Sequence, residues 1–320
     1  MTFFTSFFDL IIPSKNEKTR NVFFIGKGGV GKTTCATVVA VTLAEHGYKT
    51  LLVSTDPAHS ISWVLDQKIT NKPTSIQGVK NLDAIQIDPQ KIIEEQKRDI
   101  GDKIRRIVGE TAMGIEDYIE AAAISPGMEE SAAFDKFIEF LSMEYYDVIV
   151  FDTAPTGYTL RILSLSKIFK TWIERLIEVR KRAITLRRIV SRAPIEDVIL
   201  TDLEIMRKRF EVADKILRDP KKTSFILVLE PEWTPILEAE RATKLIENMG
   251  ILVGGVIVNR VLQPEISSHN FYRERRKMQE NYLEIIKKKF AGKIIVTLPL
   301  LERDIRGLDL IKRLSSYILR

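Results

Sequence analysis

The sequence predicts an α/β fold: a doubly wound, mainly parallel sheet with an inserted α-helical subdomain. Three observations predict it. Short runs, β-branched and apolar on both faces, recur at 22–26, 50–54, 82–87, 147–151, 223–229, 252–258 and 293–298. Strands of a buried parallel sheet read this way. Helical segments lie between the runs. Finally, the first run enters GKGGVGKTT (26–34), followed by a helix-spaced apolar stretch that stops at Gly47.

Strand, glycine loop and helix form the setting of a phosphate loop. Gly26, Gly31, Lys32 and Thr33 satisfy G-x-x-x-x-G-K-[ST],. The loop's backbone N–H groups and the positive end of the helix dipole hold phosphates. Lys32 is expected on the outer phosphates, and the Thr33 hydroxyl on Mg²⁺. Lys27 is a second lysine, where most such loops carry no charge, so the loop is a deviant Walker A. From the front of its own loop it is placed to reach a nucleotide held by a second subunit. The chain therefore reads as an ATP-driven homodimer.

Residues 21–320 are read as one domain, preceded by an N-terminal extension at 1–20. No linker rich in Pro, Gly or Ser and no internal repeat divides the chain. The extension MTFFTSFFDLII is apolar, but it lacks a basic leader and is interrupted by Asp9. It is expected to pack on the body; contact with a membrane or partner is the alternative. No apolar run reaches the roughly 18 residues needed to span a bilayer. The single cysteine, Cys35, allows no disulfide within the chain and no thiolate metal cluster,. A reducing, cytoplasmic location with transient membrane association is expected.

Two connections are too long for simple crossovers. Residues 89–145 and 158–215 each read as several helices and together as a helical subdomain. Net charge is +6, and residues 167–192 alone carry nine Lys/Arg against two Glu. The basic character thus belongs to one segment, whose apolar residues recur at helical spacing. Three readings stay open for it: a helix packed on its own subdomain, a membrane-surface helix, or part of a groove for an apolar peptide.

Two carboxylates end strands at the edge where phosphates lie. Asp56, in STDPAHS (54–60), can orient or deprotonate the attacking water; its alternative is a helix cap. Pro57 sets the turn and Ser60 is a plausible cap,. Asp152, ending VIVFD, occupies the Walker-B position and would bind Mg²⁺ through water,. Residues 153–159 would follow as a segment sensing the γ-phosphate. Asn259, after GVIV, could present its amide to the adenine edge, or be a turn residue. Pro299 closes the last run at a site suited to an adenine-facing loop.

GKGGVGKTT, STDPAHS, DTAPTGYTLR, IVNR and LPLLERDIRGL, in this order, together with SPGMEESAAF at 125–134, carry a resemblance. The chain is similar, from about residue 21 to 318, to the arsenical pump-driving ATPases and their relatives that target tail-anchored membrane proteins. The resemblance implies a dimer with two ATP sites at its interface. Gly26, Lys27, Gly28, Gly29, Val30, Gly31, Lys32, Thr33 and Thr34 would form the phosphate cradle, with Lys27 acting in trans. Asp56 would position water and Asp152 hold Mg²⁺. Asn259, Pro299 and Leu300 would hold adenine. Glu238 and Glu240 would reach the partner's nucleotide. ATP would close the dimer and join the helical subdomains into an apolar groove; hydrolysis would reopen it.

Three departures bear on this. The family's zinc-binding Cys-x-x-Cys falls on His269 and Tyr272, so no zinc is expected and the dimer should depend more on nucleotide,. Tyr158 replaces a family histidine and cannot change charge near neutral pH,. Of seven methionines only Met113, Met128, Met143 and Met206 fall in the inserts, so a groove would be lined by Ile, Leu and Phe,.

The leading expectation is a targeting factor with transmembrane-segment clients and a membrane receptor. An arsenite-transporting pump subunit is the second reading; soft As(III) wants thiolates, and only Cys35 is available,. A MinD/ParA-like membrane or DNA positioning switch is the third. Nucleic acid is not an expected partner.

Overall fold

The computed structural model describes residues 4–55, 60–87, 136–153, 171, 173–182, 184–185, 198–264 and 270–318. Its centre is an eight-stranded sheet. The strands are β1 (Arg20–Ile25), β2 (Thr50–Ser54), β3 (Thr74–Ser75), β4 (Leu82–Gln86), β5 (Val148–Asp152), β6 (Thr223–Leu229), β7 (Val253–Val261) and β8 (Ile294–Pro299), in spatial order β3-β4-β2-β5-β1-β6-β7-β8. All neighbours pair in parallel except β3, a two-residue antiparallel edge. All seven expected runs are strands; β3 was not foreseen.

β1 sits between β5 and β6. From β1 the chain crosses to β2 on one side, and from β5 it crosses back to β6 on the other. The winding therefore reverses around β1, and a crevice opens at the carboxyl ends of these strands, where doubly wound folds bind ligands.

Burial on both faces follows from strand alternation. Phe23 pairs in register with Phe151 and Phe225, and the rings stack at 4.3 and 4.7 Å. Each such pair adds about 0.5–1.5 kcal/mol beyond area burial. This face is covered by α4 (Val198–Arg218), α5 (Trp233–Asn248) and α6 (Asn270–Lys289), through Phe210, Leu217, Ile236, Ile246, Ile286 and Phe290. Val22 and Phe24 face the other way, toward α1 (Phe7–Ile11), α2 (Lys32–Glu45), α3 (Ser60–Leu65) and α7 (Leu308–Ile318). α2 is buried nearly throughout and ends where Gly47 takes φ 90°, as the stop signal predicted.

The N-terminal extension packs on the body, as expected. Phe7, Leu10 and Ile11 of α1 are buried, and Ser6 forms a capping box with Asp9,. A Cβ at Gly254 would lie 2.4 Å from the Leu10 side chain, and one at Gly255 2.8 Å from it. The glycine pair of β7 is therefore the seat of α1.

In the basic segment, Ile173, Ile177 and Ile184 are buried while Val179 is exposed. Lys181 pairs with Glu204 of α4 at 2.9 Å. Among the described residues the apolar stripe is thus a packing face. Ile205 and Met206 of α4 are exposed as well. No helix among the described residues is long and apolar enough to cross a membrane.

Candidate functional site

The loop after β1 needs glycine for definable reasons. A Cβ at Gly26 would lie 2.2 Å from the Val228 carbonyl oxygen of β6, so the neighbouring strand leaves room only for hydrogen. Gly29 has φ 85° and faces open space. Gly31, the N-cap of α2, has φ 90°, and a Cβ there would meet Asn259 Nδ2 at 2.3 Å. The result is a bare backbone turn leading into the N-terminus of a 14-residue helix. Its geometry suits an anion, because the positive end of the helix dipole lies there.

Lys32 is buried, and its Nζ donates to the Lys27 carbonyl at 3.1 Å. The lysine expected on the outer phosphates therefore spans its own loop from within. Thr33 and Thr34 begin α2 half-buried, with Gly28 and Gly29 exposed and Val30 buried. The Thr33 carbonyl is taken by Thr37 Oγ1 at 2.8 Å, which leaves its hydroxyl out of that bond.

Asp152 ends β5 fully buried and accepts from Ser54 Oγ at 3.3 Å. Its neighbours stitch three strand ends together. The Thr55 N–H donates to the Asp152 carbonyl at 3.0 Å, and Thr153 Oγ1 donates to the Phe24 carbonyl at 2.6 Å. The Thr33 hydroxyl and the Asp152 carboxylate are hard oxygen donors of the kind Mg²⁺ prefers. Cys35 is fully buried in α2, and its thiol pKa is raised, first by burial and then by the Asp152 charge.

Asn259 is buried, and its Nδ2 donates to the Val30 carbonyl at 3.0 Å. It therefore braces the phosphate loop across the sheet. Pro299 ends β8, and the following Leu300 N–H donates to Val261 at 2.9 Å while its side chain stays exposed. Leu300 also lines a cavity of about 240 Å³ with Arg260, Leu262, Phe271, Tyr272 and Gln279. Ion pairs Arg260–Glu230 and Arg275–Glu232 border it. Sequence reasoning missed Glu230, Glu232, Arg260 and Gln279. Arg260 closes the IVNR motif, in which only Asn259 was given a role, and Glu230, Glu232 and Gln279 lie outside the motifs quoted above.

Lys27 pairs with Glu238 of its own chain at 3.4 Å. Glu240 is held by Lys289 at 2.5 Å and Lys244 at 2.9 Å. The structure thus brings together the loop, Asp152 and Asn259, with Glu238 at the rim. Asp56, Pro57, Tyr158 and His269 lie outside the described residues. Among the described residues, no group of three or more His, Cys, Asp or Glu side chains could hold a metal ion.

The profile of a family described as anion-transporting ATPases matches residues 19–320. A Halobacterium salinarum protein named as an arsenical pump-driving ATPase is 36% identical, over 94% of this chain and 45% of that protein. The chain thus spans less than half of that relative's length. The Paramecium tetraurelia protein named ATPase ASNA1 homolog 1 is 31% identical, over 96% of this chain and 94% of its own. The Arabidopsis thaliana protein named ATPase GET3C is 34% identical, over 92% and 80% respectively.

Proposed function

The chain belongs to the anion-transporting ATPase family and is an ATPase; from that premise we propose that it is a homodimeric targeting factor for tail-anchored membrane proteins. In this reading it acts in the cytoplasm, captures hydrophobic transmembrane segments when ATP is bound, and releases them at a membrane receptor after hydrolysis. The observation that carries the nucleotide half is the loop itself: three glycines cleared of side chains, Lys32 inside, and Asp152 buried beside α2. Residues 26–34 would hold the phosphates, Thr33 and Asp152 the Mg²⁺, and Asn259, Pro299 and Leu300 the adenine side. When bound, Mg²⁺ neutralises charge on the phosphate oxygens. Asp56 would position the attacking water, with Lys27 acting across the dimer and Glu238 and Glu240 near the partner's nucleotide.

Relatives named ASNA1 and GET3 support the targeting role. The arsenite reading is disfavoured by Cys35, the single cysteine, which is buried with a raised thiol pKa; a metalloid site needs accessible thiolates.

The test uses Asp56→Asn, expected to bind ATP and hydrolyse it slowly. It is co-expressed with a tagged C-terminal anchor of roughly 20 apolar residues. ATP-dependent co-purification with a dimer or larger assembly is the expected result. A protein that dimerises and turns over ATP but captures no anchor sinks the targeting half and leaves an ATPase switch with another cargo. Salt-dependent binding to DNA would then favour a positioning role.

A further inference from the structure

β7 does not end as a regular strand. Its pairing with β8 slips between Val258 and Val261, and Arg260 takes φ 58°. A non-glycine residue in the left-handed region costs on the order of 1 kcal/mol and persists only where the surroundings over-determine it. Here Glu230 holds the Arg260 guanidinium and the Leu300 N–H holds the Val261 carbonyl, and one further side chain grips the backbone on both flanks of the bulge. Gln279 of α6 is buried; its Oε1 accepts from the Leu262 N–H at 2.8 Å, and its Nε2 donates to the Arg260 carbonyl at 3.2 Å. The amide clamps the bulge from both sides. A backbone donor on one side and an acceptor on the other define the amide's orientation.

The residue immediately before the bulge is Asn259, whose Nδ2 holds the Val30 carbonyl and packs against Gly31. The clamp is thus continuous with the phosphate loop: Gln279, the Arg260–Leu262 bulge, Asn259, then Val30 and Gly31. Arg275 and Arg276, one turn earlier on α6, grip Glu232 and the Pro264 carbonyl, so the helix carrying Gln279 is anchored at the same strand ends.

We infer that Gln279 is a positioning residue for nucleotide binding, acting through Asn259 on the phosphate loop. Its amide is bonded to Leu262 and Arg260, so it acts on the loop at one remove. The demand is specific to glutamine. Met fills the same volume but offers neither bond, whereas Glu keeps an acceptor for Leu262 and sets a second oxygen against the Arg260 carbonyl. The inference rests on residues 26–34 being the phosphate site; Mg²⁺–ADP binding by the wild-type chain tests that separately.

The experiment is a double-mutant cycle in Mg²⁺–ADP affinity, by calorimetry, on the full chain, with Gln279→Met, Asn259→Ala and both together. Loss of two neutral hydrogen bonds is expected to weaken ADP about tenfold in Gln279→Met. The double variant is expected to be no weaker than Asn259→Ala alone. A folded Gln279→Met that binds ADP like wild type overturns the inference. So do losses that multiply, since they would make Gln279 a structural residue independent of Asn259. If Gln279→Met does not melt cooperatively, Gln279→Glu replaces it in the same cycle. An unchanged affinity there, or multiplying losses, also overturns the inference.

Discussion

Lys27 Nζ lies 3.4 Å from Glu238 Oε1 within one chain, so the extra lysine of the loop is neutralised in cis by α5. The two side chains are 40% and 43% exposed, and at that exposure an ion pair contributes at most about 1 kcal/mol. Phosphate charge can therefore draw Lys27 away at little cost. Glu238→Gln is expected to shift stability by no more than about 0.5 kcal/mol. Lys27→Ala is expected to slow ATP turnover by about 100-fold, as loss of one transition-state donor does, with ADP affinity retained. Steady-state hydrolysis and calorimetry check both. Equal loss of ADP binding in Lys27→Ala would make the lysine a ground-state ligand instead.

Gly31 meets two separate demands, and they can be pulled apart. Its φ is 90°, and an added Cβ would sit 2.3 Å from Asn259 Nδ2. Gly31→Ala is expected to cost about 2 kcal/mol of stability and to abolish measurable ADP binding. Adding Asn259→Ala removes the collision but not the backbone strain, so partial recovery of the melting temperature is expected. No recovery would place the whole cost in the dihedral angle.

These two sites differ in how far the sequence revealed them. The loop was legible because its glycines recur at fixed spacing between a strand and a helix. The seven longer strands were legible because both faces of each are apolar. The β3 edge was not, since Thr74–Ser75 is two polar residues held by local bonds such as Ser75 Oγ to Asp83 at 2.6 Å. Nor could sequence pattern show that Asn259 reaches Val30, because the contact joins residues 229 apart. Arg260 in the left-handed region and Gln279 beneath it belong to the same class. Each depends on where β7 stops pairing with β8, which spacing does not encode.

Arg20 opens a strand and would pass for a solvated charge, yet it is fully buried. Its Nε and Nη2 donate to the Leu10 carbonyl at 3.1 and 2.9 Å, and its Nη1 to Pro220 at 2.6 Å. Burial lowers its pKa to about 10, with nearby Asp219 opposing the shift. The guanidinium fastens α1 to the body and to the turn before β6. Arg20→Met is expected to lower unfolding free energy by about 2–4 kcal/mol, because two carbonyls lose their donors. Arg20→Lys should recover less than half, since an ammonium cannot reproduce the fork. Urea unfolding measures both; equal stability of Lys and Arg would reduce the role to charge.

Glu240 ties α5 to α6 through Lys289 at 2.5 Å, with Lys244 at 2.9 Å. Lys289 first, then Lys244, holds its carboxyl at about 2, below the ordinary 4.5. A carboxylate whose folded pKa is lowered binds its proton more readily in the unfolded chain. Its contribution is therefore complete above pH 4.5 and is lost as pH falls toward 2,. Lys244 is 70% exposed, so screening keeps the contribution at neutral pH to about 1 kcal/mol or less. Wild type is expected to lose stability more steeply than Glu240→Gln over that window, with the two converging at its acid end. Denaturant unfolding at neutral pH and at two points within the window reads this out. A gap that stays constant with pH would mean that the side chain contributes by packing between the helices and that its charge is incidental.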